Sequence, residues 1–151
     1  MRTLIALLLA GLLTSCSSGA DKPAATTTQP TYSITGTFML LGLEDDQVGD
    51  SDFGTGTYTV DDNGDCSGTG RYDDVQEGLQ VTVADEAGTV IGTGYLLAGE
   101  QTSGGCMLRF KIDGIRPAKF YKVTVGRRGE ISYSHAEMEA QGWFVELTLG
   151  D

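Results

Sequence analysis

From Tyr32 onward, apolar and polar residues alternate in one segment after another, and this period of two limits the possible folds more than any other feature. Such alternation predicts β-strands that bury one face and expose the other to water. It occurs in five longer segments (32–40, 79–84, 106–112, 121–125 and 143–149) and in two shorter ones (58–60 and 131–133). Strands of this kind, separated by turns every 8–12 residues or so, predict an all-β fold, namely a mainly antiparallel β-sandwich of about seven or eight strands.

Two local motifs interrupt the alternation. The run Asp85-Glu86-Ala87-Gly88, followed by Val90 and Ile91, predicts a hairpin turn. The run Ser134-His135-Ala136-Glu137 has the spacing of a capping box, and Gly142 follows it. We therefore expect one short helical turn of about seven residues between the last two strands.

The N-terminus has the features of an export signal. Arg2 supplies a positive charge, and Leu4 to Leu13 form an apolar run that is half the length of a membrane-spanning helix. The run ends in Leu13-Thr14-Ser15-Cys16, which resembles the bacterial lipobox. The resemblance implies removal of residues 1–15 and attachment of a diacylglyceryl group, with fatty acids such as palmitate, to Cys16. The alternative is an ordinary secretory signal with a cysteine near its cleavage site.

This interpretation places the protein outside the cytoplasm. Two acyl chains anchor a protein stably, so we expect a lipoprotein held by Cys16 on the extracytoplasmic face of the cell membrane. Residues 16–31 are small, polar and punctuated by proline, which predicts a disordered linker with a typical reach of about 20 Å. Residues 32–151 have the composition of a single folded domain.

Cysteine usage agrees with export. If Cys16 carries lipid, Cys66 and Cys106 remain as an even pair, and we predict a disulfide between them. The alternative is two separate buried thiols. Two cysteines and one distant histidine do not make a zinc site.

The balance of charges excludes a general nucleic-acid binder. The chain has 10 Lys and Arg against 21 Asp and Glu, a formal net charge of -11, whereas phosphate neutralisation needs a basic face. The charge is also uneven, because nearly all the basic residues of the folded domain follow Cys106. Such a dipolar distribution can orient a domain on a surface or against a partner.

Part of the alternating region resembles a known family. The order and spacing of four segments resemble the sequence pattern of prealbumin-like sandwich modules, such as carboxypeptidase regulatory-like domains. The segments are Val81 to Ile91, Leu108 to Ile112, Ile115-Arg116-Pro117 and Tyr121 to Val125. The chain differs from those modules at Ala118-Lys119-Phe120, where they usually have a glycine before the tyrosine. Cys66-x-Gly68-x-Gly70 precedes Tyr72-Asp73-Asp74-Val75, and with this motif the whole chain also resembles small bacterial cell-envelope lipoproteins of unassigned function. The first resemblance implies the sandwich fold and a non-catalytic role.

One motif has the residue types of a calcium loop. Asp61, Asn63 and Asp65 place oxygen ligands at alternate positions, as Ca²⁺ requires. Cys66 and Tyr72 stand where an EF-hand has glycine and glutamate, so further ligands would have to come from elsewhere, for example from the acidic run 44–52. The alternative is that Asp61 to Asp65 form a simple hairpin turn.

Signals for catalysis are weak. No serine lies in a nucleophile elbow, and the single histidine, His135, is predicted to be a surface or capping residue of the helical turn. A small glycan hydrolase would need two carboxylates at a set separation, and a chain with 21 acidic residues always offers some pair. We therefore predict that the protein is not an enzyme and requires no cofactor. A module that binds Ca²⁺ and a carboxylate-dependent glycan hydrolase are the alternatives.

The remaining candidate is a binding surface. Alternation predicts outward-facing side chains that mix basic and apolar groups: Arg109, Lys111, Phe120, Lys122 and Phe144. Trp143 is expected in the core. The function predicted from the sequence is a non-catalytic binding or display module at the cell surface, whose partner is an envelope protein or a wall polymer.

Overall fold

The computed structural model of the chain describes residues 29–42 and 57–149. The predicted signal peptide, the lipidation site Cys16, most of the linker and the acidic run 44–52 lie outside these residues. Within them, no helix is long and apolar enough to cross a membrane.

Strands account for 58% of the described residues. The nine strands are β1 (Tyr32–Leu40), β2 (Tyr58–Val60), β3 (Asp65–Gly68), β4 (Gln80–Ala84), β5 (Val90–Thr102), β6 (Gly105–Ile115), β7 (Phe120–Val125), β8 (Glu130–Ser134) and β9 (Phe144–Leu149). A 3-10 turn spans Gly70–Tyr72, and helix α1 spans His135–Ala140. The all-β prediction and the short helix between the last two strands are confirmed.

The strands are hydrogen-bonded into one sheet that curls into a half-barrel, so the predicted arrangement of two packed sheets is not confirmed. The strand order is β8-β7-β4-β5-β6-β1-β9, and β2 and β3 attach to β5 beside this path. Neighbouring strands are antiparallel except β1 and β9, which pair in parallel from Thr35↔Phe144 to Leu40↔Leu149.

Strand β5 makes the sheet continuous. Its first half pairs with β4, from Val90 to Tyr95, and its second half pairs with β6, from Leu96 to Thr102. The partner changes between Tyr95 and Leu96, and a register irregularity between Leu96 and Gly99 follows in the β5–β6 pairing. A single 13-residue strand thus belongs to both halves of the sheet, where the sequence predicted a short strand at Val90 and Ile91.

The inner face of the half-barrel holds one apolar core. Side chains predicted to face inward are fully or almost fully buried, among them Ile34, Phe38, Val81, Leu108, Phe110, Ile112, Tyr121 and Val145. Met138 of α1 is also buried and attaches the helix to this core. The apolar alternation therefore identified the core side of these strands correctly.

Glycine occupies the inward positions of β5 because other groups fill the space. A Cβ atom at Gly94 would lie 2.7 Å from Ile112 Cγ1 and 2.8 Å from the Lys111 carbonyl oxygen, and one at Gly92 would lie 2.1 Å from Ile115 Cδ1. Glycine here permits close approach of β5 to the residues of β6.

The predicted disulfide is present. Cys66 and Cys106 have their Cα atoms 5.8 Å apart, and both are buried. Cys66 of β3 pairs with Gly99 of β5, and a Cβ atom at Gly99 would lie 3.0 Å from the Cys106 sulfur. The disulfide therefore passes over a position where only glycine leaves room for it. By the chain-entropy account, closing a loop of this length stabilises the fold by about 4 kcal/mol.

Side chains define the two predicted motifs. Asp85 Oδ1 accepts hydrogen bonds from the backbone N–H groups of Ala87 and Thr89, which forms the β4–β5 turn and, with the Arg116 ion pair, lowers the pKa of Asp85. In α1, Ser134 Oγ accepts from the Glu137 N–H, and the Glu137 carboxylate accepts from the Ser134 N–H at 2.7 Å. Both predictions are confirmed.

The close approach at β5 can be tested by substitution. We expect Gly94→Ala to lower the free energy of unfolding by about 1–3 kcal/mol, because the methyl group must displace backbone as well as side-chain atoms. Gly129→Ala is the matched control, since a Cβ atom there meets nothing within 4 Å and should leave stability unchanged or slightly raised. Urea unfolding measures both, and equal stabilities of the two variants would contradict the packing described for β5.

Candidate functional site

Five outward-facing side chains form the most distinctive exposed surface of the described residues. They are Tyr95, Leu97, Arg109, Lys111 and Phe144, and together they are called the β5–β6–β9 face. Their strands are neighbours in the half-barrel, with only β1 between β6 and β9. Three of these residues were predicted from the sequence as part of a binding surface, and two were not.

Strand register places these side chains on the same side of the sheet. Leu96 of β5 is paired with Phe110 of β6 and both are buried, so their sequence neighbours face outward. On the other side of β6, Thr35 of β1 lies between Lys111 and Phe144 in one row across the sheet. In the next row across the sheet, Thr37 of β1 lies between Arg109 of β6 and Glu146 of β9. The same outer surface therefore continues along β9.

The apolar members of the face are unusually exposed for their size. Tyr95 is 57% exposed, Leu97 56% and Phe144 40%, so three of the six large exposed apolar residues of the described chain lie on this side of the sheet. A single exposed apolar residue needs no explanation, but several on one surface of a sheet are typical of an interaction surface.

The two cations are held in place by carboxylates. Arg109 lies 2.8 Å from Glu100, and Lys111 lies 3.0 Å from Asp113. Hydrogen bonds from Ser33 and Lys111 lower the pKa of Asp113. Because both pairs are more than half exposed, they contribute little to stability, but they restrict where the cations lie.

Phe120 and Lys122, the other two predicted surface residues, are not part of this face. Both lie on β7, which is separated from β6 by β4 and β5 in the curled sheet. Phe120 is exposed, and Lys122 lies 3.6 Å from Glu130 of β8. The structure thus divides the predicted surface into two groups, with Arg109, Lys111 and Phe144 together and Phe120 and Lys122 elsewhere.

Tyr95 and Leu97 were missed because the run Gly92-Thr93-Gly94 interrupts the apolar pattern after Val90 and Ile91. These glycines lie inside β5, and the strand continues through them to Thr102. Tyr95, Leu96 and Leu97 are three consecutive large hydrophobic residues. The apolar pattern of the sequence therefore could not distinguish the two exposed residues from the buried Leu96.

The predicted calcium residues form the turn between β2 and β3. Asp61 Oδ1 accepts hydrogen bonds from the N–H groups of Asn63 at 2.8 Å and Asp65 at 3.0 Å, and these bonds lower the pKa of Asp61. Asp61, Asp65 and Glu77 line a concavity of about 370 Å³. Residues 29–42 and 57–149 contain no group of three His, Cys, Asp or Glu residues arranged to hold a metal ion.

His135 belongs to an aromatic cluster that the sequence did not predict. Its Nδ1 lies 2.8 Å from the hydroxyl of buried Tyr121, which itself accepts a hydrogen bond from the Ala118 N–H. Trp143 stacks on Tyr32 at a centroid distance of 3.9 Å and contacts both other rings edge-on. Trp143 is partly buried against the core and has a positive φ of 61°, so the cluster holds it in a conformation that a non-glycine residue rarely adopts.

The open side of the half-barrel lies between its terminal strands β8 and β9. An apolar groove of about 190 Å³ runs there, lined in part by Ile131, Leu147 and Leu149, with Arg128 at its border. Helix α1 connects the two strands at one end of this opening.

Comparison of the chain with protein families, with curated proteins and with solved structures found no match.

The role of Asp61 can be tested directly. We expect Asp61→Ala to lower the melting temperature by the same amount in 2 mM or so of Ca²⁺ and in EDTA, because the substitution removes acceptors for two backbone N–H groups. Asp62→Ala, in the same turn, is the control. A melting temperature of the unsubstituted chain that rises with Ca²⁺, and an Asp61→Ala variant that does not respond, would instead support a calcium site.

Proposed function

We propose that the protein is a lipid-anchored, non-catalytic binding module outside the cytoplasm, and that it docks a partner protein on the β5–β6–β9 face. The observation that carries this proposal is the grouping on one outer sheet surface of Tyr95 and Leu97 of β5, the two cations of β6 and Phe144 of β9. The fold would act as a rigid support, and the acylated Cys16 with its linker would keep the face near the membrane.

Residue chemistry favours a protein as the occupant. Aromatic side chains, methionine and arginine are enriched at protein interfaces, whereas lysine and acidic residues are depleted from the centres of interfaces. The β5–β6–β9 face follows this pattern, with Met39 and Met107 paired on the same outer side of β1 and β6. The partner surface is therefore expected to present apolar groups with carboxylates placed to meet Arg109 and Lys111.

Export is supported by independent features. The lipobox-like sequence ends at Cys16, and the bonded pair Cys66 and Cys106 is of the kind that persists in oxidising compartments. A wall polymer is the second candidate occupant of the face, because exposed aromatic rings also stack on sugars. A calcium-dependent module and a carboxylate-dependent glycan hydrolase would not use this face, since each depends on carboxylates.

Site-specific photocrosslinking in intact cells tests the docking face. A photoreactive phenylalanine analogue at position 95 or 144 should form a discrete adduct with the same protein, because both positions would lie in one interface. The controls are positions 120 and 131, which are exposed to a similar degree but lie on β7 and β8. Arg109→Glu should reduce the adduct from position 95 about tenfold or more, since a reversed charge at an interface repels the partner.

Two outcomes would contradict this assignment. Equal crosslinking at all four positions would mean that no face is preferred. Retention of the purified protein on isolated wall polymer, lost in Tyr95→Ala and Phe144→Ala but kept in Phe120→Ala, would assign the face to the polymer instead.

The anchor is tested separately. Cys16→Ala should move the protein from the membrane fraction to the soluble extracytoplasmic fraction, because the acylated side chain is removed and a single-residue change leaves the folded domain intact. Fractionation followed by immunoblotting measures this, with Cys66→Ala as the matched cysteine control that should stay with the membrane. Membrane retention of Cys16→Ala would exclude acylation of Cys16 as the anchor.

A further inference from the structure

Three arginines from distant parts of the chain meet at one concavity. Arg71 lies in the 3-10 turn, and Arg127 and Arg128 lie in the turn between β7 and β8. With Asp73 and Asp74 they line a space of about 270 Å³ that opens to solvent. This space is formed by elements other than those of the β5–β6–β9 face, so its role is separate from the docking function proposed above.

The fold holds two of these guanidinium groups against one ring. The guanidinium carbon of Arg128 lies 5.5 Å from the centre of the Tyr72 ring, and that of Arg71 lies 5.9 Å from it. Arg128 also forms an ion pair with Asp74 and donates a hydrogen bond to the Arg71 carbonyl oxygen at 3.2 Å. The cation–π contacts with the buried Tyr72 and the ion pair with Asp74 thus hold the positively charged side chains of Arg71 and Arg128 close to each other.

The charge of the concavity is not balanced by its own carboxylates. Three guanidinium groups face two carboxylates, and within residues 29–42 and 57–149 neither Arg71 nor Arg127 forms an ion pair. By contrast, Arg109 and Arg116 each pair with a carboxylate. The residues that line the concavity therefore carry a net charge of +1, although the whole chain has a net charge of -11. The fold produces this local positive charge by bringing separate segments of the chain together.

Hydrogen-bond donors are also left over. The Nε of Arg128 is buried and has no acceptor among the described protein atoms. A guanidinium group offers a planar fork of N–H donors that matches two oxygens of one oxyanion. The concavity therefore combines a net charge of +1 with the forked donors of Arg71 and Arg127, neither of which forms an ion pair with the described residues.

We propose that this concavity binds a phosphodiester group, whose single negative charge and two free oxygens fit that combination. Arg71 and Arg127 would contact the oxygens directly, while Arg128, held by Asp74 and Tyr72, would set the local positive potential. Two sources share this chemistry: the headgroup of an anionic phospholipid and a soluble phosphodiester.

Dimethyl phosphate is the probe for the group itself. Amide and arginine Nε chemical shifts of the full chain carrying Cys16→Ser, which removes the proposed acyl anchor, are followed as the probe is added up to about 50 mM. We expect saturable shifts at Arg71, Arg127 and Arg128, and none of that size with sodium chloride at equal ionic strength.

Single substitutions assign the contacts. Arg71→Ala and Arg127→Ala should each weaken binding about tenfold, because each removes one charge-assisted fork. Arg109→Ala and Arg116→Ala remove the same charge elsewhere and should change the affinity less than about twofold. Arg127→Lys keeps the charge without the fork, so it should bind more weakly than the unsubstituted chain but more tightly than Arg127→Ala. Arg128 is left unchanged because it packs on Tyr72 and pairs with Asp74.

Vesicles distinguish the two sources. Adsorption of the same chain to phosphatidylglycerol vesicles but not to phosphatidylcholine vesicles, lost in Arg127→Ala, would identify a lipid headgroup as the ligand. Binding of dimethyl phosphate without adsorption would identify a soluble phosphodiester. The proposal is overturned if dimethyl phosphate gives no saturable shifts, or if the Arg109→Ala and Arg116→Ala controls weaken binding as much as the pocket variants do.

Discussion

The close passage of β5 over the residues of β6 is the constraint on which the rest of the fold depends. Its inward positions at Gly92, Gly94 and Gly99 carry no side chain, and the space is filled by Ile112, Ile115 and the disulfide. Because the strand can lie this close, it pairs with β4 along one half and with β6 along the other. A larger residue at these positions would separate the two halves of the sheet and open the core.

The same passage determines what is exposed. Where β5 changes partner, Leu96 points into the core and its neighbours Tyr95 and Leu97 point to solvent. These two side chains join Arg109 and Lys111 of β6 on the outer side of the sheet. The proposed docking face is thus a consequence of how the sheet is curled, and it uses side chains that no core packing requires.

The local sequence pattern was sufficient to predict much of the secondary structure of this protein. Alternation identified most of the strands, although not β3 or most of β5, and it identified the buried side of β1, β4, β6 and β7. The capping box of Ser134 and Glu137 identified α1. These features are decided by residues a few positions apart, so they can be predicted without knowing the fold. The pairing of Cys66 with Cys106 followed from cysteine number and context.

What only the tertiary structure decided involves residues far apart in sequence. The single curled sheet, the parallel pairing of β1 with β9, and the separation of Phe120 and Lys122 from Arg109 all depend on strand order, which periodicity does not encode. The arginine concavity brings Arg71 to Arg128 across 57 positions, and the cluster around Tyr121 and His135 forms only when α1 docks. The sequence by itself determined which residues of the regularly alternating strands face the core. Long-range strand pairing determined which exposed residues lie together, because packing of the whole chain, and not order along the chain, decides which strands are neighbours in the sheet.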